Sequence, residues 1–290
     1  MKIKNYLSLV KFSHTIFAMP FALLGFSLGV WSNDGGSHKP LWLILLLIVL
    51  CMIFARSAAM GFNRLIDKKF DALNTRTAVR EIPSGIISAR NALTFVLLMS
   101  AAFLITTFFI NTICFLLSPV ALFVILLYSY TKRFTPLCHL VLGVGLSLAP
   151  IGAYLAVVGH FNILPVLISF TVLFWVSGFD IIYALQDEEF DKANRLRSMP
   201  QWLGGSKALR VSEYLHFLAI ACLIYAGFQR EFGWLYWLGV IAFAGFLIYQ
   251  HLLVKPGNLK KINLAFFTAN GIASVVFCVL VIVDLFIINK

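Results

Sequence analysis

Long apolar runs alternate with short polar segments along the whole chain. Most of these runs approach the roughly 20 residues of helix that cross the hydrocarbon core of a bilayer. Their positions predict about nine membrane-spanning helices, at residues 13–31, 41–63, 92–110, 112–131, 138–158, 162–185, 208–228, 233–253 and 263–287. The fold class that follows is an all-α, polytopic membrane protein.

The composition agrees with a chain that lies mostly in lipid. Hydrophobic residues make up 61% of the 290 residues and charged residues only 12%, whereas soluble domains carry about a quarter charged residues. No polar segment is long enough to form a separate globule, so residues 1–290 are expected to form one transmembrane domain. The five cysteines are scattered and form no Cys-x-x-Cys pair, which argues against disulfides and thiolate metal sites.

The basic residues are distributed very unevenly between the loops on the two sides of the predicted bundle. Among the 23 lysines and arginines, only Lys39, Arg230 and Lys290 fall on one side, and Arg56 lies inside the second span. Because cytoplasmic loops are enriched in Lys and Arg, this asymmetry predicts a cytoplasmic N-terminus. It also accounts for the net charge of +11 without nucleic acid as a partner.

Two acidic motifs stand at corresponding places in the two halves of the chain, each at the cytoplasmic end of an even-numbered span. Their oxygen-bearing side chains recur every four residues: Asn63, Asp67 and Asp71 in the first motif, and Asp187 and Asp191 in the second. On a helix this spacing places the side chains on one face. The string Leu-x-Asp-x-x-Phe-Asp-x-x-Asn occurs at 65–74 and again at 185–194, which suggests an internal duplication.

Paired carboxylate clusters of this kind are suited to divalent metal ions. Mg²⁺ prefers oxygen ligands and is usually held by one or two carboxylates together with water and substrate phosphate. Cations near the motifs would neutralise the remaining phosphate charge: Arg76, Arg80, Lys132, Arg133, Lys192 and Arg195. The sequence therefore predicts a site for Mg²⁺ and a diphosphate. The histidines His14, His139 and His251 are far apart in the sequence and suggest no metal site.

Two ionisable residues lie inside predicted spans. Arg56 precedes Asn63 by seven residues, and Asp180 precedes Asp187 by seven, so each shares a helix face with the motif that follows it. Tyr183 lies one turn beyond Asp180. A charge in this position is costly unless it is paired or faces a polar cavity. Both residues are therefore candidates for a polar cavity below the motifs, although a buried ion pair that only orders helix packing is the alternative.

At the two acidic motifs the chain resembles the UbiA superfamily of intramembrane aromatic prenyltransferases. The family patterns Asn-x-x-x-Asp-x-x-x-Asp after span two and Asp-x-x-x-Asp after span six match both motifs. Further similar strings are R-E-I-P-S-G-I-I-S at 80–88, Y-S-Y-T-K-R-F-T at 128–135 and D-I-I-Y-A-L-Q-D-E-E-F-D at 180–191. The resemblance implies nine helices around a central cavity that opens sideways to lipid. The chain departs from the pattern at Arg64, where many members have aspartate.

The resemblance also implies an activity and roles for the candidate residues. It implies a Mg²⁺-dependent polyprenyltransferase that moves a polyprenyl group, through an allylic carbocation, from polyprenyl diphosphate to the ring of a hydroxylated aromatic acid. The metal ligands and catalytic residues would be Asp67, Asp71, Asp187 and Asp191, with Asn63 as a further metal ligand. The diphosphate contacts would be Arg76, Arg80, Lys132, Arg133 and Lys192. The contacts to the aromatic acceptor would be Arg56, Asp180 and Tyr183.

The opening string K-F-S-H-T-I-F-A-M-P-F-A-L-L-G at 11–25 is similar to that of 4-hydroxybenzoate polyprenyltransferases of quinone biosynthesis. The expected acceptor is therefore 4-hydroxybenzoate, and the expected location is a bacterial inner membrane with the active site facing the cytoplasm. The same chemistry on 1,4-dihydroxy-6-naphthoate, for menaquinone, remains an alternative. Haem or chlorophyll prenylation is a further alternative, and a membrane transporter is the main rival outside the enzymes.

Overall fold

The computed structural model describes residues 3–10, 18–32, 39–255 and 257–288. Helices joined by turns and loops make up this part of the chain, and its one β-type pairing is an isolated bridge between Lys255 and Asn258. The α-helices in chain order are α1 (Ile3–Leu9), α2 (Met19–Ser32), α3 (Leu41–Ile66), α4 (Lys68–Leu73), α5 (Ala89–Phe108), α6 (Thr112–Thr131), α7 (Cys138–Val158), α8 (Ile163–Ala184), α9 (Glu188–Ala193), α10 (Met199–Leu203), α11 (Gly205–Gln229), α12 (Trp234–Leu253) and α13 (Asn270–Val283). A 3₁₀ turn at Leu185–Asp187 joins α8 to α9, and π-helical segments at Leu264–Ala269 and Asp284–Ile288 flank α13.

The prediction of an all-α, polytopic membrane protein is confirmed. Within the described ranges, 8 helices are long and apolar enough to cross a membrane, and they coincide with the second to ninth spans expected from the sequence. The described part of the first expected span is the shorter apolar helix Met19–Ser32, of 14 residues. Residues 11–17, with His14 and the start of that span, lie outside the described residues.

Helix α8 is the most deeply buried of the long helices, and it packs mainly against α7 and α11. Its Trp175 is fully buried and lies in an aromatic cluster, with ring centroids 5.3 Å from Phe21 and 5.7 Å from Phe243. The indole N–H donates to the side-chain oxygen of Asn270 at 2.8 Å. In lipid such a hydrogen bond satisfies a donor that would otherwise be costly to bury. The second acidic motif is therefore attached to a rigid central helix.

Helices α2 and α7 approach each other closely at one glycine. A Cβ on Gly25 would lie 2.1 Å from the carbonyl oxygen of Pro150, so no other residue fits there without moving a backbone. Small residues at helix contacts are the usual means of close packing in membranes. The contact fixes α7, whose first turn carries a side chain of the polar site described below.

The outer surface of the bundle is apolar. Large side chains on α5, α6 and α11 are more than half exposed, among them Leu97, Phe108, Phe123 and Phe217. A soluble protein rarely exposes such continuous apolar surface. These faces are suited to contact with lipid, which leaves the polar ends of the helices as the place for chemistry.

Candidate active site

Both acidic motifs lie where a membrane-length helix breaks. Helix α3 ends at Ile66, and Asp67 (φ −84°, ψ 3°) separates it from α4. Asp187 (φ −106°, ψ 6°) occupies the same place between α8 and α9. The sequence spacing assumed one regular helix through each motif. The structure interrupts the helix at both aspartates, although the hydrogen bonds from the Asp67 N–H to the Asn63 carbonyl and from the Asp71 N–H to the Asp67 carbonyl continue through the first motif. The backbone there adopts the bridge conformation near ψ of about 0°, which turns the chain, so the next aspartate projects from a separate short helix.

In the first motif, Asp67 is 3% exposed and is held by two cations from the turn after α6. The Lys132 Nζ atom lies 2.8 Å from Oδ2 and the Arg133 Nη2 atom lies 3.1 Å from Oδ1. The Asn63 amide also approaches Oδ2, at 3.4 Å. The structure thus brings together Asn63 and Asp67, predicted as metal ligands, with two of the predicted diphosphate contacts.

Asp71 forms the second part of this cluster. It is 6% exposed, and its Oδ1 atom accepts a hydrogen bond from Arg80 at 2.6 Å. Its Oδ2 atom is buried and has no hydrogen-bond partner in the described structure. The Thr77 hydroxyl donates to the Asp71 backbone carbonyl at 3.0 Å and fixes the following loop. A buried carboxylate oxygen with no donor is suited to a cation.

The loop after the first motif reaches the second motif directly. The Arg76 Nη2 atom donates to both carboxylate oxygens of Asp187, at 2.6 and 2.9 Å, and the Asn74 amide lies 3.4 Å from Oδ1. Burial alone would lower the pKa of Arg76, but the hydrogen bonds and charge of Asp187 more than offset it, so the pKa is raised. This bifurcated, charge-assisted contact joins the two halves of the chain at the site.

Asp191 completes the group of four carboxylates. It is 9% exposed. Its carboxylate forms a side-chain hydrogen bond with Ser198 and lies within electrostatic range of Lys132 and Asp187. The Arg197 backbone N–H donates to the Lys132 carbonyl at 2.6 Å, which ties the turn after α6 to the segment after α9. The two acidic motifs therefore belong to one site.

Two of the predicted cations are not brought to this carboxylate cluster. Lys192 is half exposed, and its ammonium pairs with Glu188 at 2.6 Å one turn earlier on α9. Arg195 is exposed and has a positive φ of 55° just after that helix. Both therefore lie at the outer edge of the site.

Two arginines on α3 lack the counterions that the other cations have. Among the described residues, no hydrogen bond or ion pair joins to Arg56 or Arg64, and the Nε atom of each is buried without a partner. Arg64 is 6% exposed. Its guanidinium group lies within electrostatic range of Asp71, Tyr128 and Glu81, whereas that of Arg56 lies within range of Tyr128. Sequence reasoning noted Arg64 only as a lost carboxylate. Its burial could not be predicted, because the neighbouring helices that cover it are distant in the chain.

Asp180 lies in an ion-pair geometry that the sequence did not reveal. Its Oδ2 atom is 2.7 Å from Nδ1 of His139, on the first turn of α7. The His139 side chain is 4% exposed, whereas the Asp180 side chain is 25% exposed. No spacing pattern links residues that are 41 positions apart, so only the packing of α7 against α8 shows this pair.

Tyr183 is held on both sides. Its ring lies 4.1 Å from the ring of Phe266, and its hydroxyl is 3.4 Å from Nη1 of Arg76. The guanidinium carbon of Arg76 stands 5.8 Å from the centre of the tyrosine ring. Tyr183 thus helps to position the guanidinium group of Arg76, which pairs with Asp187 of the second motif.

The described residues contain no group of three or more His, Cys, Asp or Glu side chains placed to hold a metal ion as they stand. Three of the four carboxylates, those of Asp67, Asp71 and Asp187, instead pair with neighbouring cations. A cavity of about 400 Å³ lies between α1, α3 and α5, lined by Val10, Ile53 and Phe95 among others. None of the candidate site residues is among its lining residues, so this cavity is separate from the carboxylate cluster.

Comparison with known proteins gives one consistent result. The family model described as the UbiA prenyltransferase family matches residues 18–272. A 4-hydroxybenzoate octaprenyltransferase from Aliivibrio fischeri (strain MJ11) is 30% identical over 238 residues, covering 82% of this chain and 83% of that protein.

The fold also matches solved structures. The apo structure of a UbiA homolog from Aeropyrum pernix K1 has a TM-score of 0.82 and 30% identity, covering 93% of this chain and 98% of that one. A UbiA homolog from Archaeoglobus fulgidus, bound to DMAPP and Mg²⁺, has a TM-score of 0.74 at 22% identity over 98% of this chain and 99% of that one. The second likeness bears on the fold alone.

Proposed function

Because the chain belongs to the UbiA prenyltransferase family, we propose that this enzyme transfers a polyprenyl group from polyprenyl diphosphate to the ring of 4-hydroxybenzoate in quinone biosynthesis. The observation that carries the proposal is the meeting of both acidic motifs with clustered cations at one end of the bundle. The acceptor is suggested by the 4-hydroxybenzoate octaprenyltransferases among the relatives. Membership of a prenyltransferase family also favours an enzyme over the rival transporter.

The residues of the cluster fit a Mg²⁺ cofactor. The side chains of Asn63, Asp67, Asp71, Asp187 and Asp191 offer the oxygen ligands that this ion prefers. The buried Oδ2 atom of Asp71, which has no donor, supports the fit. When bound, the ion supplies Lewis-acid stabilisation of the negative charge on the departing diphosphate.

The basic residues would hold the diphosphate itself. Lys132 and Arg133 pair with Asp67, Arg80 pairs with Asp71, and Arg76 pairs with Asp187. Each cation is about a quarter to two fifths exposed, so it can turn toward a phosphate without leaving a buried shell. We infer that these ion pairs keep the cations close to the site. The Lys and Arg side chains then contact the diphosphate as its negative charge grows. Lys192, at the outer edge, would act at longer range.

Arg56 is suited to the carboxylate of the aromatic acid. Its buried Nε atom has no partner, whereas the cations around the motifs are already paired with aspartates. Asp180 and Tyr183 would face the ring on the side of α8. The apolar walls of the bundle exclude water, which would otherwise capture the allylic carbocation. The account places the site at the cytoplasmic face of a bacterial inner membrane, as the distribution of basic residues predicts.

Label transfer in isolated membranes tests this proposal. Membranes with the protein receive radiolabelled polyprenyl diphosphate, Mg²⁺ and either 4-hydroxybenzoate or 1,4-dihydroxy-6-naphthoate. We expect label on 4-hydroxybenzoate that disappears when a chelator is added. Transfer only to 1,4-dihydroxy-6-naphthoate would identify that compound as the acceptor and assign the enzyme to menaquinone biosynthesis. No transfer to any hydroxylated aromatic acid would contradict the proposed acceptor class.

A further inference from the structure

His139 is a buried side chain in direct contact with the candidate acceptor residue Asp180, and the proposed function gives it no task. It lies on α7, outside both acidic motifs, and it is 3% exposed. It touches two parts of the site at once. Its Nδ1 atom is 2.7 Å from Oδ2 of Asp180 on α8, and its Nε2 atom is 3.3 Å from the backbone nitrogen of Met199 at the start of α10.

These two contacts fix the tautomer of the imidazole ring. The Met199 N–H group can only donate, so Nε2 of His139 must accept and carries no proton. The ring proton therefore sits on Nδ1 and is donated to Asp180. A histidine that donates from this nitrogen to a carboxylate fixes the orientation of that carboxylate.

Asp180 is left with one oxygen available to a substrate. Among the described residues, no hydrogen bond engages its Oδ1 atom, and the side chain is 25% exposed although it lies inside a membrane-length helix. Tyr128, on α6, lies within electrostatic range of Asp180 as well as Arg56 and Arg64. An aromatic acid bound beside Asp180 would thus have the free Oδ1 atom available to its ring hydroxyl.

We propose that Asp180 accepts the proton of the ring hydroxyl during prenyl transfer and that His139 is the positioning residue that keeps Asp180 aimed at that hydroxyl. The proposal rests on the proposed function and adds a proton acceptor to it. The C1–O bond of the prenyl diphosphate breaks and a bond forms between C1 and a ring carbon. The hydroxyl proton moves to Oδ1 of Asp180 as positive charge develops on the ring. The dienone so formed regains aromaticity when its ring C–H proton leaves with the diphosphate, and Asp180 returns the hydroxyl proton to the phenolate oxygen.

Three variants test the assignment with purified protein in lipid nanodiscs. Asp180→Asn keeps the shape of the side chain but removes the proton acceptor, and general-base loss costs about 10²–10⁴-fold in rate. His139→Phe keeps a ring but removes both hydrogen bonds. His139→Asn retains a donor close to the position of Nδ1. Thermal unfolding of each variant checks that the bundle is intact.

The decisive readout compares two acceptors, the aromatic acid that the wild type uses and its ring-fluorinated analogue with a more acidic hydroxyl. A more acidic hydroxyl depends less on a base, so the loss of kcat in His139→Phe should be smaller with the fluorinated acceptor. His139→Asn should recover part of the loss, and the KM for prenyl diphosphate should stay unchanged in all three variants.

The possible failures are distinguishable. Equal losses of kcat with both acceptors in His139→Phe, or wild-type rates in Asp180→Asn, would overturn the proton-acceptor role and leave the proposed function intact. An asparagine variant no better than phenylalanine would remove the positioning role of His139. Absence of transfer by the wild type to any aromatic acid would overturn both proposals.

Discussion

The substitution Asp67→Asn separates a role in chemistry from a role in folding. Asp67 holds Lys132 at 2.8 Å and Arg133 at 3.1 Å, and these cation side chains are 32% and 27% exposed. Exposed ion pairs contribute up to about 1 kcal/mol, whereas breaking a fully buried pair costs about 3–5 kcal/mol. Both cations can be rehydrated when their partner is removed. We therefore expect Asp67→Asn to lower the free energy of unfolding by about 1–2 kcal/mol, near the lower figure.

The effect on catalysis should be much larger. Removal of one group that stabilises charge in a transition state costs about 2.7–4 kcal/mol, or about 10²–10³-fold in kcat. We therefore expect Asp67→Asn to lower label transfer by at least about 10²-fold while the protein remains folded in membranes. Asp191→Ala should behave similarly, because its carboxylate belongs to the same cluster.

The matched control is Glu189→Gln, which removes the same charge from an exposed side chain two residues beyond Asp187. Its transfer rate should equal that of the wild type. The assay is initial-rate label transfer, with thermal unfolding in detergent as the measure of stability. A rate for Asp67→Asn within a few-fold of the wild type would refute the assignment of Asp67 to the metal and diphosphate site.

Four further substitutions test other parts of the site and the fold. Arg56→Ala should raise the KM for the aromatic acid by more than about tenfold, the equivalent of a charge-assisted hydrogen bond. The KM for prenyl diphosphate should change little. An unchanged KM for the aromatic acid would contradict the role of Arg56 in binding the acceptor. Lys132→Ala should reduce transfer far more than Lys192→Ala, because only the former contacts a motif carboxylate, and equal losses would argue against the geometry. Gly25→Val should lower the unfolding temperature, since overpacking costs about 1–3 kcal/mol or more where its Cβ meets Pro150.

The sequence was sufficient for the features that depend on local pattern. Apolar runs of membrane length predicted the second to ninth spans, because length and composition alone decide whether a helix can cross a bilayer. The recurrent spacing of Asp67, Asp71, Asp187 and Asp191 identified the two motifs. Their association followed from placing both motifs at the same membrane face.

The features that depend on packing were beyond the sequence. The helix breaks at Asp67 and Asp187 occur without proline or glycine, so no local signal marks them. Lys192 was grouped with the other cations by proximity in the chain, yet the direction of α9 turns it outward to Glu188. The contact between His139 and Asp180 requires two helices to pack in one register, and a single sequence carries no record of that register.

The most direct test of the central claim asks whether the two motifs form one binding site. Thermal unfolding of the purified protein would be measured with Mg²⁺ and a non-hydrolysable prenyl diphosphate analogue, since a ligand that binds only the folded state raises its stability by RT ln(1 + [L]/Kd). The account predicts a clear rise for the wild type and Glu189→Gln, and its loss in both Asp67→Asn and Asp187→Asn. Retention of the full rise in either motif variant would contradict a site shared by the two halves of the chain.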